Sequence, residues 1–396
     1  MARLLPNTLG LTLLLALVTS TNPIGTDMYL PSLPAIRESL QASTAEAQAT
    51  LSAFLVGAVL AQLVLGPWSD YVGRRPAILL GLVLFVAGSI ACALAPSIEV
   101  LIGARVLQSF GGAGAAVIGR SMVRDLFSGW KAGKEFARLN SIRGVVPLVC
   151  PLLGAALTGW FGWRSNFVAM AVFGLPLIVV VGIALPETLA QKPDKPFSVS
   201  GAVADYRDIL TTPSFLFYAG LNALVFSGFF AFLSGSAFVM QGLYGMSKTE
   251  YALGFSAVVG GYIAGSMIAH RLQARFAPQS LIFGGLAATT LASFAMLCLM
   301  VADVGGALAV IITMALFTTG MGTVMPYCEA GALRPFSDRV GSAASMTSIV
   351  NMSVAALFGL AVGQIIDASA MALPAALMGA AAVALALFVR FRSRFA

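Results

Sequence analysis

The chain is poor in the residues that soluble enzymes use for catalysis and metal binding. Its 396 residues include one histidine, His270, and four cysteines that form no CxxC pair. A single histidine excludes a multi-histidine metal site, and cysteines spaced this widely usually serve as small side chains in helix packing. The sequence also contains no HExxH, GxSxG, GxxxxGK[ST] or DxxxD motif. We therefore expect no enzymatic activity, no metal and no cofactor.

Charged residues are equally scarce, at 10% of the chain, whereas a soluble domain carries roughly 25%. Hydrophobic residues make up 59%, and the mean hydropathy is +0.91. A bilayer core about 30 Å thick requires about 20 apolar residues per helix. Twelve runs of about that length follow one another: 9–31, 47–68, 77–95, 97–118, 138–159, 165–185, 213–240, 250–270, 279–301, 305–328, 340–366 and 371–391. The sequence predicts an all-α integral membrane protein with twelve transmembrane helices.

The distribution of basic residues predicts the orientation of these helices. With both termini in the cytoplasm, nineteen of the 23 Lys and Arg residues lie on that side, and only Arg37, Arg164 and Lys248 lie outside. This asymmetry follows the positive-inside rule and argues against nucleic acid as the reason for the net charge of +7. Arg3 ahead of the first run would also suit a signal peptide, but no small-x-small cleavage site follows. We expect a multi-pass protein of the bacterial inner membrane.

A polar stretch with three prolines divides the runs into six and six. It predicts an N-terminal six-helix bundle at 1–189, a cytoplasmic loop at 190–212 and a C-terminal six-helix bundle at 213–396. A shift of 200 residues places Leu51–Arg75 on Tyr251–Arg275, which indicates parallel duplication. Two repeated bundles that rock about a site near the membrane midplane provide alternating access.

Two ionisable residues lie deep within apolar runs, Asp27 in the first and Arg105 in the fourth. A charge in hydrocarbon is costly, so we expect each to face a cavity and to have a partner. If the two approach, directly or through water, Arg105 favours the ionised carboxyl whereas burial favours the neutral one. We predict that Asp27 carries the proton and that Arg105 tunes its affinity. A structural ion pair is the alternative.

The turn between the second and third runs, Gly-Pro-Trp-Ser-Asp-Tyr-Val-Gly-Arg-Arg-Pro, closely resembles the loop signature of the major facilitator superfamily. The residues in register are Gly66, Asp70, Gly73, Arg74 and Arg75. This resemblance implies that the loop latches the two halves of the protein. It also implies that Asp70 meets a helix end, where a positive N-terminus favours an anion, and basic residues of the opposite half.

Two further segments resemble motifs of the same family. Residues 101–116 resemble its fourth-helix motif, with Arg105 and Gln108 in register, and residues 144–154 resemble its fifth-helix antiporter motif. In the latter, proline and glycine kink the helix; the matching residues are Pro147, Pro151 and Gly154. The closest resemblance is to the bicyclomycin and chloramphenicol resistance branch of drug:proton antiporters.

This resemblance implies a proton-coupled multidrug efflux antiporter that exports small amphipathic compounds and is driven by the proton gradient. We expect it to work in lipid as a monomer, without nucleic acid. A proton-coupled uptake or export carrier for a metabolite such as a purine, nucleoside or sugar is the alternative. Glu329, at the end of the tenth run, is a candidate second proton site or, preferably, part of a surface ion pair.

The substrate is expected to contact helices that line the pore in the family's fold. A drug site there should be aromatic, rich in methionine and sparingly polar. Each candidate could equally face lipid or the helix core. The candidates are Asn22, Tyr29, Gln108, Asn222, Phe226, Phe230, Met314 and Phe317.

Overall fold

A computed structural model describes residues 9–127, 129–189, 206–336, 340–366 and 369–394 of the chain. Within these ranges every regular element is helical, and twelve helical segments are long and apolar enough to cross a membrane. Large apolar side chains such as Trp160, Leu291 and Leu357 are exposed on the outside of these helices. Exposed apolar surface of this kind is suited to lipid contact. The all-α, twelve-helix prediction is confirmed.

The first six spans correspond closely to the predicted runs. A 3₁₀ turn at Leu30–Ser32 links the first two helices, because Pro31 and Pro34 interrupt the regular bonding there. The sixth helix begins nine residues before the predicted start at 138. The helices are α1 Leu9–Asp27, α2 Leu33–Ser39, α3 Thr44–Val72, α4 Arg74–Ala93, α5 Ile98–Leu126, α6 Gly129–Phe161 and α7 Arg164–Ala184.

The second six spans begin at residues that favour helix starts. Pro213 and Pro278 occupy first-turn positions, where a missing N–H costs nothing. Ser247 and Glu250 form a reciprocal capping box. The helices are α8 Pro213–Ala237, continued by a π-helix at Phe238–Leu243, then α9 Lys248–Leu272, α10 Pro278–Val301, α11 Gly306–Leu333, α12 Val340–Ile366 and α13 Ala372–Phe391.

The chain divides into two compact units. The first comprises Met1–Ala42 and Ala53–Ser198, and the second comprises Ser43–Ser52 and Val199–Ala396. Of the predicted central loop, 190–205 lies outside the described residues, and 206–211 is helical. The predicted domain boundaries and the cytoplasmic position of the termini stay predictions.

The two units repeat the same helix contacts. A glycine of α3 or α4 lies against the backbone of α5 in the first unit, and a glycine of α9 or α10 lies against α11 in the second. The matching contacts are Gly57 with Val106, Gly81 with Gly111, Gly261 with Ala315 and Gly285 with Gly320. Positions in α3 and α4 therefore correspond to positions 204 residues later, in α9 and α10. Positions in α5 correspond to positions 209 residues later, in α11.

This register corrects one detail of the predicted duplication. The shift of 200 that placed Leu51–Arg75 on Tyr251–Arg275 is four residues short. Four residues are about one helical turn, so the wrong shift still aligns the same helix face and the same apolar pattern. With the observed offset, Asp70 corresponds to Ala274 and Arg74 to Pro278, so this ion pair has no counterpart at that place in the second unit.

Candidate functional site

Arg105 forms the centre of a buried cluster in the first unit. Its side chain is 0% exposed, and the guanidinium lies 4.1 Å from the ring centroid of Tyr29 and 4.3 Å from that of Phe54. Nη1 donates to the carbonyl oxygen of Gly25 at 2.9 Å and to Oε1 of Gln108. Each desolvated cation–π contact contributes up to roughly 2 kcal/mol. Aromatic faces and two neutral acceptors therefore stabilise this charge inside the membrane.

Gln108 forms a hydrogen bond with Arg105 and is itself held by two other residues. Its Oε1 accepts from Arg105, while Nε2 donates to Oγ of Ser89 at 2.8 Å and lies 3.2 Å from Sδ of Met170. Both ends of this amide are engaged within the first unit, and the side chain is fully buried. The structure thus shows Gln108 bonded to Arg105, and its predicted contact with substrate stays a prediction.

Asp27 is the last residue of α1 and is only 7% exposed. The hydroxyl of the neighbouring Thr26 donates to the carbonyl oxygen of Pro23 at 3.0 Å, and the carboxyl of Asp27 interacts electrostatically with the thiol of Cys150 on α6. Among the described residues, no ion pair joins Asp27 to Arg105. Arg105 instead binds the carbonyl of Gly25, two residues earlier on α1. The two predicted coupling residues are thus linked through the α1 backbone rather than by a direct side-chain pair.

The predicted antiporter motif lies where α6 packs on α1. Pro147 and Pro151 are inside α6, where each removes one backbone hydrogen bond. Gly154 approaches the backbone carbonyl of Met28 so closely that a Cβ would collide with it. Glycine at this position therefore permits the close contact of the two helices beside Asp27.

The predicted gating loop forms a charge cluster in the first unit. Gly73 has φ of +112°, a conformation that favours glycine, and this residue makes the turn between α3 and α4 possible. Arg74 pairs with Asp70 at 2.5 Å and with Asp125 of α5 at 2.9 Å, and its Nη1 donates to Oγ of Ser69. Arg74 thus ties the turn to the end of α5. The predicted contact of Asp70 with the opposite half stays a prediction.

Glu187 completes this cluster and was not identified from the sequence. Its carboxylate accepts backbone N–H bonds from Arg74 at 2.9 Å and Arg75 at 3.1 Å, as well as from Thr188 and Leu189. Partial burial raises the pKa of Glu187, but the four N–H donors lower it by more, so its pKa lies below the usual value. The only sign of Glu187 in the sequence is an acidic residue just after the predicted sixth run, in Pro-Glu-Thr. A partner more than a hundred residues away is not visible in sequence.

The predicted substrate residues of the first unit differ in accessibility. Tyr29 is fully buried, with its ring against Arg105 and 5.7 Å from the ring centroid of Phe167. Asn22 is half-buried, and its Oδ1 has no hydrogen-bond partner among the described residues. Asn22 therefore has a polar atom without a partner among the described residues, whereas the ring of Tyr29 packs against Arg105.

The second unit contains the remaining predicted substrate residues. Asn222 is 1% exposed, and its Oδ1 lacks a partner in the described part of the chain, whereas Phe226 is half-buried. Phe230, Met314 and Phe317 are at most 1% exposed. Most of these side chains are therefore buried, and their contact with substrate stays a prediction.

The repeat gives Met314 and Phe317 a more specific meaning. At the offset of 209 residues they occupy the α11 positions that correspond to Arg105 and Gln108 on α5. The hydrogen-bonded pair of Arg105 and Gln108 in the first unit is thus replaced by two apolar side chains in the second. Glu329, the candidate second proton site on α11, is exposed and interacts electrostatically with Tyr262.

Comparison with known proteins identifies the relatives of this arrangement. The family model of the Major Facilitator Superfamily matches residues 15–360. The chain is 32% identical to the uncharacterized MFS-type transporter YdgK of Bacillus subtilis, over 90% of this chain and 89% of that protein. It is 26% identical to a bicyclomycin resistance protein homolog of Haemophilus influenzae, over 88% and 87% of the two chains. It is 30% identical to a chloramphenicol resistance protein of Pseudomonas aeruginosa, over 81% and 75%.

A solved structure gives the same fold. The crystal structure of a D-xylose-proton symporter superposes with a TM-score of 0.74 at 13% identity, over 94% of this chain and 96% of that one. At this identity the likeness concerns the fold alone.

Proposed function

This chain belongs to the major facilitator superfamily and is a transporter of the bacterial inner membrane, and from that premise we propose that it exports small amphipathic drugs in exchange for protons. Relatives that carry bicyclomycin resistance, chloramphenicol resistance or multidrug resistance in their names support drugs as the substrate class. The protein is proposed to act as a monomer, since a twelve-helix chain encloses its own pathway.

The position of Asp27 carries the proton part of this proposal. Asp27 is a nearly buried carboxyl within a membrane span, and among the described residues it has no ion-pair partner. A carboxylate in such a place is costly, whereas the protonated form is not. A residue under these conditions binds and releases a proton as access to water changes.

Arg105 supplies the electrostatic control of that step. Its charge is held by the carbonyl of Gly25, by Gln108 and by two aromatic rings, so it keeps one position in the first unit. Arg105 binds the carbonyl of Gly25, two residues before Asp27, and no carboxylate neutralises it at close range in the described structure, so in this proposal its field acts on the carboxyl of Asp27 through a medium of low dielectric. The field favours proton release, whereas burial favours proton uptake. Entry of drug or water shifts this balance.

The transport cycle follows from these two opposing effects. A drug in the cavity displaces the proton from Asp27 toward one side of the membrane, and a proton from the other side displaces the drug. Each charge that crosses about 100 mV contributes roughly 2.3 kcal/mol, which suffices for a modest uphill gradient of one drug per proton.

The test is drug-driven proton movement in liposomes that contain the purified protein. Addition of a chloramphenicol-like drug should move protons against the direction of the drug in wild type, and Asp27→Asn should abolish this flux. Asp303→Asn is the matched control, because Asp303 is exposed and has a positive φ that asparagine tolerates. Full antiport by Asp27→Asn would refute the assignment. Proton flux with purines only, in the direction of the solute, would replace export by uptake.

A further inference from the structure

Glu135 is a buried acid to which this transport cycle assigns no role. It lies on α6 and is 7% exposed. Its Oε2 accepts a hydrogen bond from the hydroxyl of Thr12 on α1 at 2.8 Å, and its Oε1 accepts from Nη1 of Arg138 at 2.6 Å. The side chain of Arg138 is 49% exposed. Glu135 therefore connects a buried helix contact with a cation that reaches solvent.

A small cavity adjoins this carboxyl. Thr12 and Glu135 form its polar wall, and apolar side chains of α1, α5 and α6 form the rest. The space suffices for about one water molecule, and two polar groups are the minimum that such a water requires. The carboxyl thus has a place for the water that proton exchange needs.

Glu135 and Asp27 lie at opposite ends of one helix contact. On α1, Thr12 and Asp27 are fifteen residues apart, which corresponds to about 22 Å along the helix. Near the far end of the same contact, Asp27 interacts with Cys150 of α6. An acid therefore lies at each end of the α1–α6 contact, and at the Glu135 end the acid itself forms the hydrogen bond between the helices.

Most charged groups near Glu135 are basic. From Leu9 to Thr26, α1 carries no charge, and α5 carries Arg120, Arg124 and Asp125 on the turns that adjoin the cavity wall. Asp125 is paired with Arg74. On α6, Arg138 pairs with Glu135, and Arg143 follows two turns later. The side chains of Lys131 and Lys134 lie outside the described part of the chain. Protonation of Glu135 cancels the charge that Arg138 binds and weakens the acceptor that Thr12 uses.

We propose that Glu135 is a second proton-binding residue of this transporter. While ionised it ties the first turn of α1 to α6, and on binding a proton from water it releases that turn. Glu135 acts as a positioning residue that makes the mobility of α1 depend on pH. The inference rests on the proposed function in linking this release to transport, but the protonation itself can be measured without transport.

The first experiment detects the proton directly. Infrared difference spectra of the purified full-length protein, acidified from about pH 8 to about pH 4, report the C=O band of protonated carboxyl groups. Subtraction of the Glu135→Gln spectrum from the wild-type spectrum should leave one C=O component, which belongs to protonated Glu135. Thr12→Val should move that component to higher frequency and to higher pH, because the ionised form loses a donor. Glu38→Gln is the matched control: its component belongs to an exposed acid and should not respond to Thr12→Val.

The second experiment connects the proton to transport. Drug transport measured against pH should lose one titration in Glu135→Gln and should move to higher pH in Thr12→Val, and the double variant should behave as Glu135→Gln alone. A purely structural role would lower stability and leave the pH profile unchanged. That result, or an infrared component that Thr12→Val does not shift, would overturn the inference. Absence of drug-driven proton flux in the wild-type protein, with the Glu135 component present, would refute the proposed function and leave this inference standing.

Discussion

Replacement of Gly154 by alanine adds one methyl group where α6 packs against Met28, the residue that follows α1. A Cβ at this position meets the carbonyl oxygen and carbonyl carbon of Met28. These are backbone atoms, so relief requires movement of a helix by on the order of 1 Å rather than rotation of a side chain. Overpacking of this kind costs about 1–3 kcal/mol, and alanine returns about 0.5–1 kcal/mol through its helix propensity. We expect a net loss of about 1–2 kcal/mol.

Gly159 on the same helix provides the matched control. A Cβ there meets nothing within 4 Å, so Gly159→Ala should gain the propensity term alone. Thermal unfolding can be followed with a thiol-reactive fluorophore once the exposed Cys298 has been blocked, because Cys92 and Cys328 are fully buried until the protein unfolds. Gly154→Ala should unfold at a lower temperature than wild type, and Gly159→Ala should unfold at the same or a higher temperature. Equal or greater stability of Gly154→Ala would refute the close contact.

Two further predictions concern buried or partly buried partners. Because the pKa of Glu187 is lowered on folding, its contribution to stability is present above the ordinary glutamate value of 4.5 and is lost as pH falls through the lower folded value. The difference in unfolding temperature between wild type and Glu187→Gln should therefore be largest near neutral pH and shrink below about pH 4; a difference that does not change with pH would contradict the assignment. Gln108→Leu leaves the hydroxyl of Ser89 without its donor and removes one acceptor of Arg105, at a cost of about 1–3 kcal/mol. The unfolding temperature and the drug-driven proton flux should both be lower than in wild type. Wild-type values for both would show that Gln108 does not position Arg105.

The division of chemistry between the two units follows from the repeat. In the first unit α5 carries Arg105 and Gln108, whereas in the second unit α11 carries Met314 and Phe317 at the corresponding positions. Duplicated helices thus keep their glycine contacts while their central side chains diverge. We expect the proton-binding groups to lie in the first unit and the second to contribute mainly apolar surface.

The sequence was enough to identify the class of the protein, the number of its membrane spans and the segments that carry charge. These are local properties, because the cost of a charge in hydrocarbon and the apolar length of a membrane span depend on residues close together in the chain. Proline and glycine likewise act locally, and Gly73 was placed correctly at a turn from its motif. The shift of 200 was wrong by four residues because a displacement of one helical turn preserves the apolar pattern.

The partner of each charged residue is visible only in the folded protein. Arg105 donates to a backbone carbonyl 80 residues away in the chain, and Glu135 accepts a hydrogen bond from the hydroxyl of Thr12, which is 123 residues away. A carbonyl is present at every residue and leaves no trace in the sequence, and a lone threonine in an apolar run gives no sign of its partner. The pairing of buried charges depends on how helices pack against one another, which is set by the summed contacts of many side chains rather than by any local motif.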